Sequence, residues 1–241
     1  MRPSPPVVAA FLIALVFSAL PRLPARAQAA QSPGSETAGR LTLSTKSADA
    51  KAEFWKGMES WQTGAYTIAT RHFHRASTID NNFALARLLS MGERDARENP
   101  VERERAIADA ARQSTEEGLF ALMWREKSLG DPARTKAMLA AAMQLMPNEP
   151  AIAVEYLWIS SGEAKSAKVA LDSAAVWRTR FAKYTPLVLP ITYLDLTVGD
   201  TAAAVRAAEE YARIAPQSGA GFGSYGNVLQ QLGRYDEAEA Q

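Results

Sequence analysis

The stretch Gly221-Phe222-Gly223-Ser224-Tyr225-Gly226 fits the spacing G-x-G-x-x-G, with which a chain presses backbone amides against a pyrophosphate. That chemistry needs the glycines between a strand and a helix, inside a β-α-β unit. Here a helical pattern, Thr201 to Ala215, precedes them and no such unit surrounds them. The glycines are therefore read as the chain's re-entry into a helix, with Gly226 where two helices cross. Ser224 stands in F-G-S-Y-G, one residue short of the G-x-S-x-G of a hydrolase nucleophile. The elbow also requires a later histidine, and the only two, His72 and His74, lie far upstream. Two apart on a helix, they point about 200° away from each other. They share no ligand from one face and are read as surface or half-buried residues. The absence of cysteine removes disulfides and thiolate metal sites. Glu116-Glu117 is read as a helix start rather than an acid–base pair, and the mixed-sign run Glu93 to Arg105 as solvated surface. No catalytic residue, metal ligand or cofactor site is assigned, so the chain is read as non-enzymatic.

These residues depend on the elements that position them. Of the 241 residues, the first 27 are expected to be a secretory signal peptide. Arg2 gives the positive start, Val7 to Leu20 is an apolar run too short to span a bilayer, and Ala25-Arg26-Ala27 is a small-x-small cleavage site. Arg2, Arg22 and Arg26 leave with the leader, so 24 basic residues face 26 acidic ones. That balance argues against a nucleic-acid partner, which calls for a basic surplus on one face. An exported chain without cysteine fits a bacterial periplasm better than a disulfide-rich eukaryotic secretome. Residues 28–46, rich in Ala, Ser, Gly and Gln, are expected to be a flexible lead-in. From about Ser47 to Gln241 the pattern is helical.

Four glycines, Gly64, Gly130, Gly199 and Gly233, each end a helical run, at separations of 66, 69 and 34 residues. These are close to two, two and one multiples of a 34-residue period. The last stretch, Ser224 to Gln241, carries Gly226, Leu229, Gly233, Tyr235 and Ala238 at the places of a helix–turn–helix unit. The first unit, about Ala48 to Asn82, has Gly57 on its first helix, Gly64 and Tyr66 at the turn, then Ala69, Phe73 and Ala76. The third starts at Ser114-Thr115-Glu116-Glu117, a capping box, and has Leu139, Ala142 and Pro147 in phase. The fifth turns at Gly199-Asp200 and continues with Ala204, Ala208 and Tyr211. The second, Phe83 to Gln113, is irregular apart from an Asn99-Pro100 helix start. The fourth matches mainly by length, with a long second helix expected from Glu163 to about Tyr184. On these residues the chain resembles the tetratricopeptide repeat (TPR) family, in particular secreted bacterial proteins of that kind.

The resemblance implies an all-α superhelical solenoid of about six antiparallel helix pairs, with no helix pair able to bury its apolar face alone. It also implies a concave face, which carried over by phase holds Phe54, Met58, Trp61, Phe120, Trp124, Tyr193 and Asn227. Large aromatic and apolar groups there are the residue types that anchor a partner. The expected function is a periplasmic or secreted scaffold that binds a protein or peptide, with no membrane span once the leader is removed. Two other readings stay open: an accessory subunit of an envelope-assembly machine or enzyme complex, and a structural spacer without a ligand groove. The second helix of the last unit begins near Asp236. Val228, Leu229 and Leu232 are therefore expected to lie uncovered, favouring self-association through the C-terminal end.

Overall fold

The computed structural model describes residues 39–216 and 219–240. The expected leader, residues 1–27, and the first part of the lead-in lie outside the described residues. Among the described residues all regular structure is helical, in thirteen α-helices and one 3-10 turn. No described helix is long and apolar enough to cross a membrane.

The helices follow one another as neighbouring pairs. The first pair is α1 (Ala48–Gln62) and α2 (Tyr66–Ile79). The second is a broken helix, α3 (Ala84–Ser90) and α4 (Gly92–Glu98), against α5 (Pro100–Gln113). Then come α6 (Thr115–Leu129) with α7 (Pro132–Leu145), and α8 (Pro150–Ser160) with α9 (Ala164–Arg180). The 3-10 turn Thr185–Leu187 leads into α10 (Val188–Val198), which pairs with α11 (Thr201–Ile214). The last pair is α12 (Gly219–Gln231) and the short α13 (Tyr235–Glu239).

The turns are where the sequence placed them. Gly64, Gly130, Gly199 and Gly233 have φ of 79°, 73°, 85° and 73°, the left-handed conformation that ends a helix at little cost only for glycine. Asp131 and Asp200 follow two of them and cap the next helix, accepting the amides of Arg134 at 3.0 Å and Ala203 at 2.9 Å. The irregular second unit has a local cause: Gly92, at φ 67°, breaks its first helix in two. Pro100 opens α5 as expected, but Asn99 does not cap it, because its Nδ2 donates instead to the Asp95 carbonyl at 3.1 Å. Helix α9 stops at Arg180 rather than near Tyr184.

Small residues let the pairs cross closely. A Cβ on Gly57 would sit 2.6 Å from the Phe73 ring, and one on Gly118 would sit 2.7 Å from Cα of Ala111. Phe73 in turn packs on Phe54, which also meets Phe83. The glycine-rich stretch from Gly221 to Gly226 is wholly helical, inside α12. At the other end of that helix, Val228 and Leu229 are fully buried and Leu232 is half-buried. The expectation that these three form an uncovered apolar side is corrected by that packing. Ala204, Ala208 and Val228 form one cluster, with Leu232 against it.

The lead-in also departs from expectation. Residues 39–46, read as flexible, are seated on the helices, and Leu41 and Leu43 belong to the core of the first four pairs. The reason lies in the alternation Leu41-Thr42-Leu43-Ser44-Thr45. Leu41, Leu43 and Thr45 are buried, Thr42 is exposed and Ser44 is half-buried, the period of two of an extended chain.

Candidate functional site

The segment from Gly39 to Ser47 forms a strap across the starts of four helix pairs. It runs backwards through them, from the α7–α8 junction to the start of α1. At its first end the Gly39 carbonyl accepts the Asn148 amide at 2.8 Å. Glu149 then serves two elements at once. Its Oε1 caps α8 by accepting the Ala151 amide at 3.2 Å. Its Oε2 accepts the Leu41 amide at 3.1 Å and Nε of Arg40 at 3.0 Å. Glu149 is 2 % exposed while the Arg40 side chain is 40 % exposed, so water is excluded from the carboxylate side of this ion pair only.

The middle of the strap lies on the start of α6. Ser114 caps that helix, its Oγ accepting the Glu117 amide at 3.0 Å. In a complete capping box the Glu117 side chain would return to the Ser114 amide. It points to the strap instead. Oε1 accepts the Ser44 amide at 2.6 Å and Oε2 accepts the Ser44 hydroxyl at 3.0 Å. Burial pushes the Glu117 carboxyl above the ordinary carboxylate range and Glu116 adds to the push, while the two bonds from Ser44 oppose it. Gln113 places its Oε1 3.0 Å from the Ser44 oxygen, and the same amide group is held by the Asn82 carbonyl and the Ala84 amide. At the far end Thr45 donates to Asp80 at 2.5 Å, between α2 and α3. The acceptors on the helical side cluster at the junctions: Glu149 and Asp80 flank helix ends, Gln113 ends α5, and Glu117 lies in the first turn of α6.

The seven residues assigned by phase fare differently. Phe54, Met58, Phe120 and Trp124 are at most 2 % exposed and sit in the core. Their assignment to an open face is corrected: each fills the space between helices, and none presents surface to a partner. Trp61 is half-buried. It stands edge-on to Trp124 with ring centres 6.1 Å apart, and the Lys127 ammonium lies 5.1 Å over its ring. Tyr193 is half-buried against Trp158, its hydroxyl 3.4 Å from Oγ of Ser224. Asn227 is exposed and pairs with Gln231 at 3.3 Å. The structure thus brings Trp61 and Trp124 together, while Tyr193 and Asn227 lie on later helices.

Two further polar places stand out. His72 Nδ1 meets Glu53 at 2.8 Å while His74 is exposed, so the two histidines do part company as their spacing requires. Lys56 and then His72 hold the Glu53 carboxyl down to about 2. A concavity of about 340 Å³ between α9, α10 and α11 is lined by Arg178, Asp195, Arg206 and Glu210. Arg178 bonds Glu210 at 2.6 Å. Asp195 is 8 % exposed, and burial, with repulsion from Asp200, pushes its carboxyl up to about 6. Among the described residues no three His, Asp or Glu side chains converge as a metal site.

Sequence reasoning missed Glu117, Glu149, Gln113 and Asp80 as a group. Glu117 was marked as part of a helix start, but a capping box and a strap acceptor use the same residue types. The signal for the strap was the two-residue alternation ahead of the first helix. Comparison with known proteins gives no match to any family model and none to a curated protein.

Proposed function

We propose that this chain is a non-enzymatic scaffold of stacked helix pairs, a superhelical solenoid of the tetratricopeptide kind. In this reading it is exported to the periplasm or beyond and binds a protein or peptide partner in extended form. The leader pattern supports the export, and the absence of cysteine then favours a bacterial envelope over a disulfide-forming eukaryotic secretome. Pairing between sequence neighbours, left-handed glycines at the turns and the close crossings at Gly57 and Gly118 support the solenoid.

One observation carries the binding reading. The helices already hold a non-helical segment, extended through Leu41 to Leu43 and bent at Ser44, with buried carboxylates receiving its amides and two leucines seated between its polar contacts. Amide-directed bonds bind main chain whatever the side chains, and apolar pockets at alternate positions give selectivity. A helical surface with those two features is suited to a peptide.

A phage-displayed library of random peptides, selected against the chain from residue 28 onward, tests this. Recovered sequences should share alternating apolar residues, and their binding should weaken on E149Q substitution. No enrichment over a selection against heat-denatured chain sinks the reading.

A further inference from the structure

We infer that the seat of Gly39–Ser47 is an exchangeable peptide site, filled in cis by the chain's own strap and open in trans to an extended segment of the same chemistry. This rests on the binding reading above and adds the occupant, its chemistry and its control.

Most of the receptor side is held in place without the strap. Glu149 is fixed through its other oxygen by the Ala151 amide. The Glu117 backbone is fixed by the Ser114 cap, and Gln113 by Asn82 and Ala84. Removing the strap frees the Glu117 carboxylate, whose bonds run to Ser44, but leaves Glu149 and Gln113 positioned, and a largely preorganised site loses little freedom when a second segment enters. Within the strap itself, the Ser47 amide donates to Oγ1 of Thr45 at 3.2 Å. The bonds of Gly39, Arg40, Leu41 and Ser44 run instead to groups on the helices or the junctions between them. A segment held in that way behaves as a tethered ligand, not as an element of secondary structure.

The contacts specify what fits. A basic side chain meets Glu149, as Arg40 does at 3.0 Å. Apolar side chains fill the places of Leu41 and Leu43, which are 4 % and 8 % exposed. Hydroxyl residues follow, meeting Glu117 and Asp80 as Ser44 and Thr45 do. The partner is therefore an extended protein segment that reads basic, apolar, any, apolar, Ser or Thr, Ser or Thr. The tethered strap competes with it at a high effective concentration. The apparent affinity for the partner falls by the fraction of chains whose seat is open.

The test adds a fluorescent peptide of the sequence Gly39–Ser47 to the unaltered chain, to its L41A/L43A variant, and to that variant with E117Q. The double variant's strap has lost its apolar anchors, so the added peptide should bind it at least tenfold more tightly than the unaltered chain. Adding E117Q should cancel that gain by at least tenfold. Equal affinity for the unaltered chain and L41A/L43A overturns the inference. So does an L41A/L43A chain without a cooperative helical melt, because the strap is then part of the fold. A second measurement needs no substitution. Amide exchange at Leu41 and Ser44 in the unaltered chain should proceed by an opening insensitive to low denaturant. An opening with the same denaturant dependence as α6 overturns the inference. A chain that enriches library peptides while its strap never opens loses only this inference. A strap that opens while no peptide binds any variant removes the binding reading beneath it.

Discussion

Adding one methyl group at Gly57 should destabilise the fold, although the same change elsewhere should stabilise it. Gly57 is buried in the middle of α1, and its Cβ would lie 2.6 Å from Cε1 and 2.7 Å from Cδ1 of Phe73. Phe73 is 1 % exposed and has nowhere to go. Its ring centre is 5.5 Å from that of Phe54 and 6.0 Å from that of Trp61. Overpacking of this kind costs about 1–3 kcal/mol, and contacts this short belong in the upper half of that range. Replacing glycine by alanine inside a helix returns about 1 kcal/mol. The net expectation for G57A is a loss of about 1–2 kcal/mol. Gly223 is the control. It is exposed, lies in α12, and has nothing within 4 Å of the place a methyl group would take. There only helix propensity acts, so G223A should gain about 0.5–1 kcal/mol. Urea unfolding of both variants, with an unchanged denaturant slope, reads the two shifts directly. G57A stabilising the chain as much as G223A would refute the close crossing of α1 and α2.

Three other outcomes are expected. D195N should make stability less dependent on pH. A carboxyl raised from 3.8 to about 6 keeps its proton longer in the folded state, so stability falls as pH rises through that window and stays low above it. Urea melts should show D195N more stable than the unaltered chain near pH ~7.5, by about 1–2 kcal/mol once water at the open side of the carboxyl is allowed for, and equal to it below pH ~3. Glu53 has the opposite sign. Its carboxyl is depressed from 4.5 to about 2, so its contribution is present above 4.5 and lost as pH falls toward 2. E53Q should flatten that limb of the acid-unfolding curve, by no more than about 1 kcal/mol and less in high salt. W124A should cost about 3–5 kcal/mol, because the side chain is core. W124F should cost much less in the same melts, since the Trp124 ring N–H has no hydrogen-bond partner to lose.

The contrast between turns and surfaces explains how much the sequence disclosed. The left-handed glycines and the aspartate caps follow from backbone sterics acting over a few neighbouring residues, so the residue types alone locate them. The second pair was opaque because Gly92 breaks its helix at a point the small-residue pattern does not mark. Phe54 and Phe120 were placed on an open face by the phase of the repeat resemblance, which fixes a position along the helix without saying what covers it. A first helix packs on its own partner and on the next pair, so its large residues are enclosed. Glu117 and Glu149 were invisible as a site for a different reason. Their partners, Ser44 and Leu41, are 73 and 108 residues away, and no local pattern encodes a meeting at that distance.

Buried carboxylates hold the amides of the strap, and backbone amide NMR tests this at two named atoms. The Ser44 and Leu41 amide protons should both resonate downfield of their random-coil positions, as donors to carboxylates do. E117Q should move the Ser44 signal upfield and leave Leu41 in place, and E149Q should do the reverse. Random-coil positions for both amides in the unaltered chain, or signals that neither substitution moves, would contradict the account.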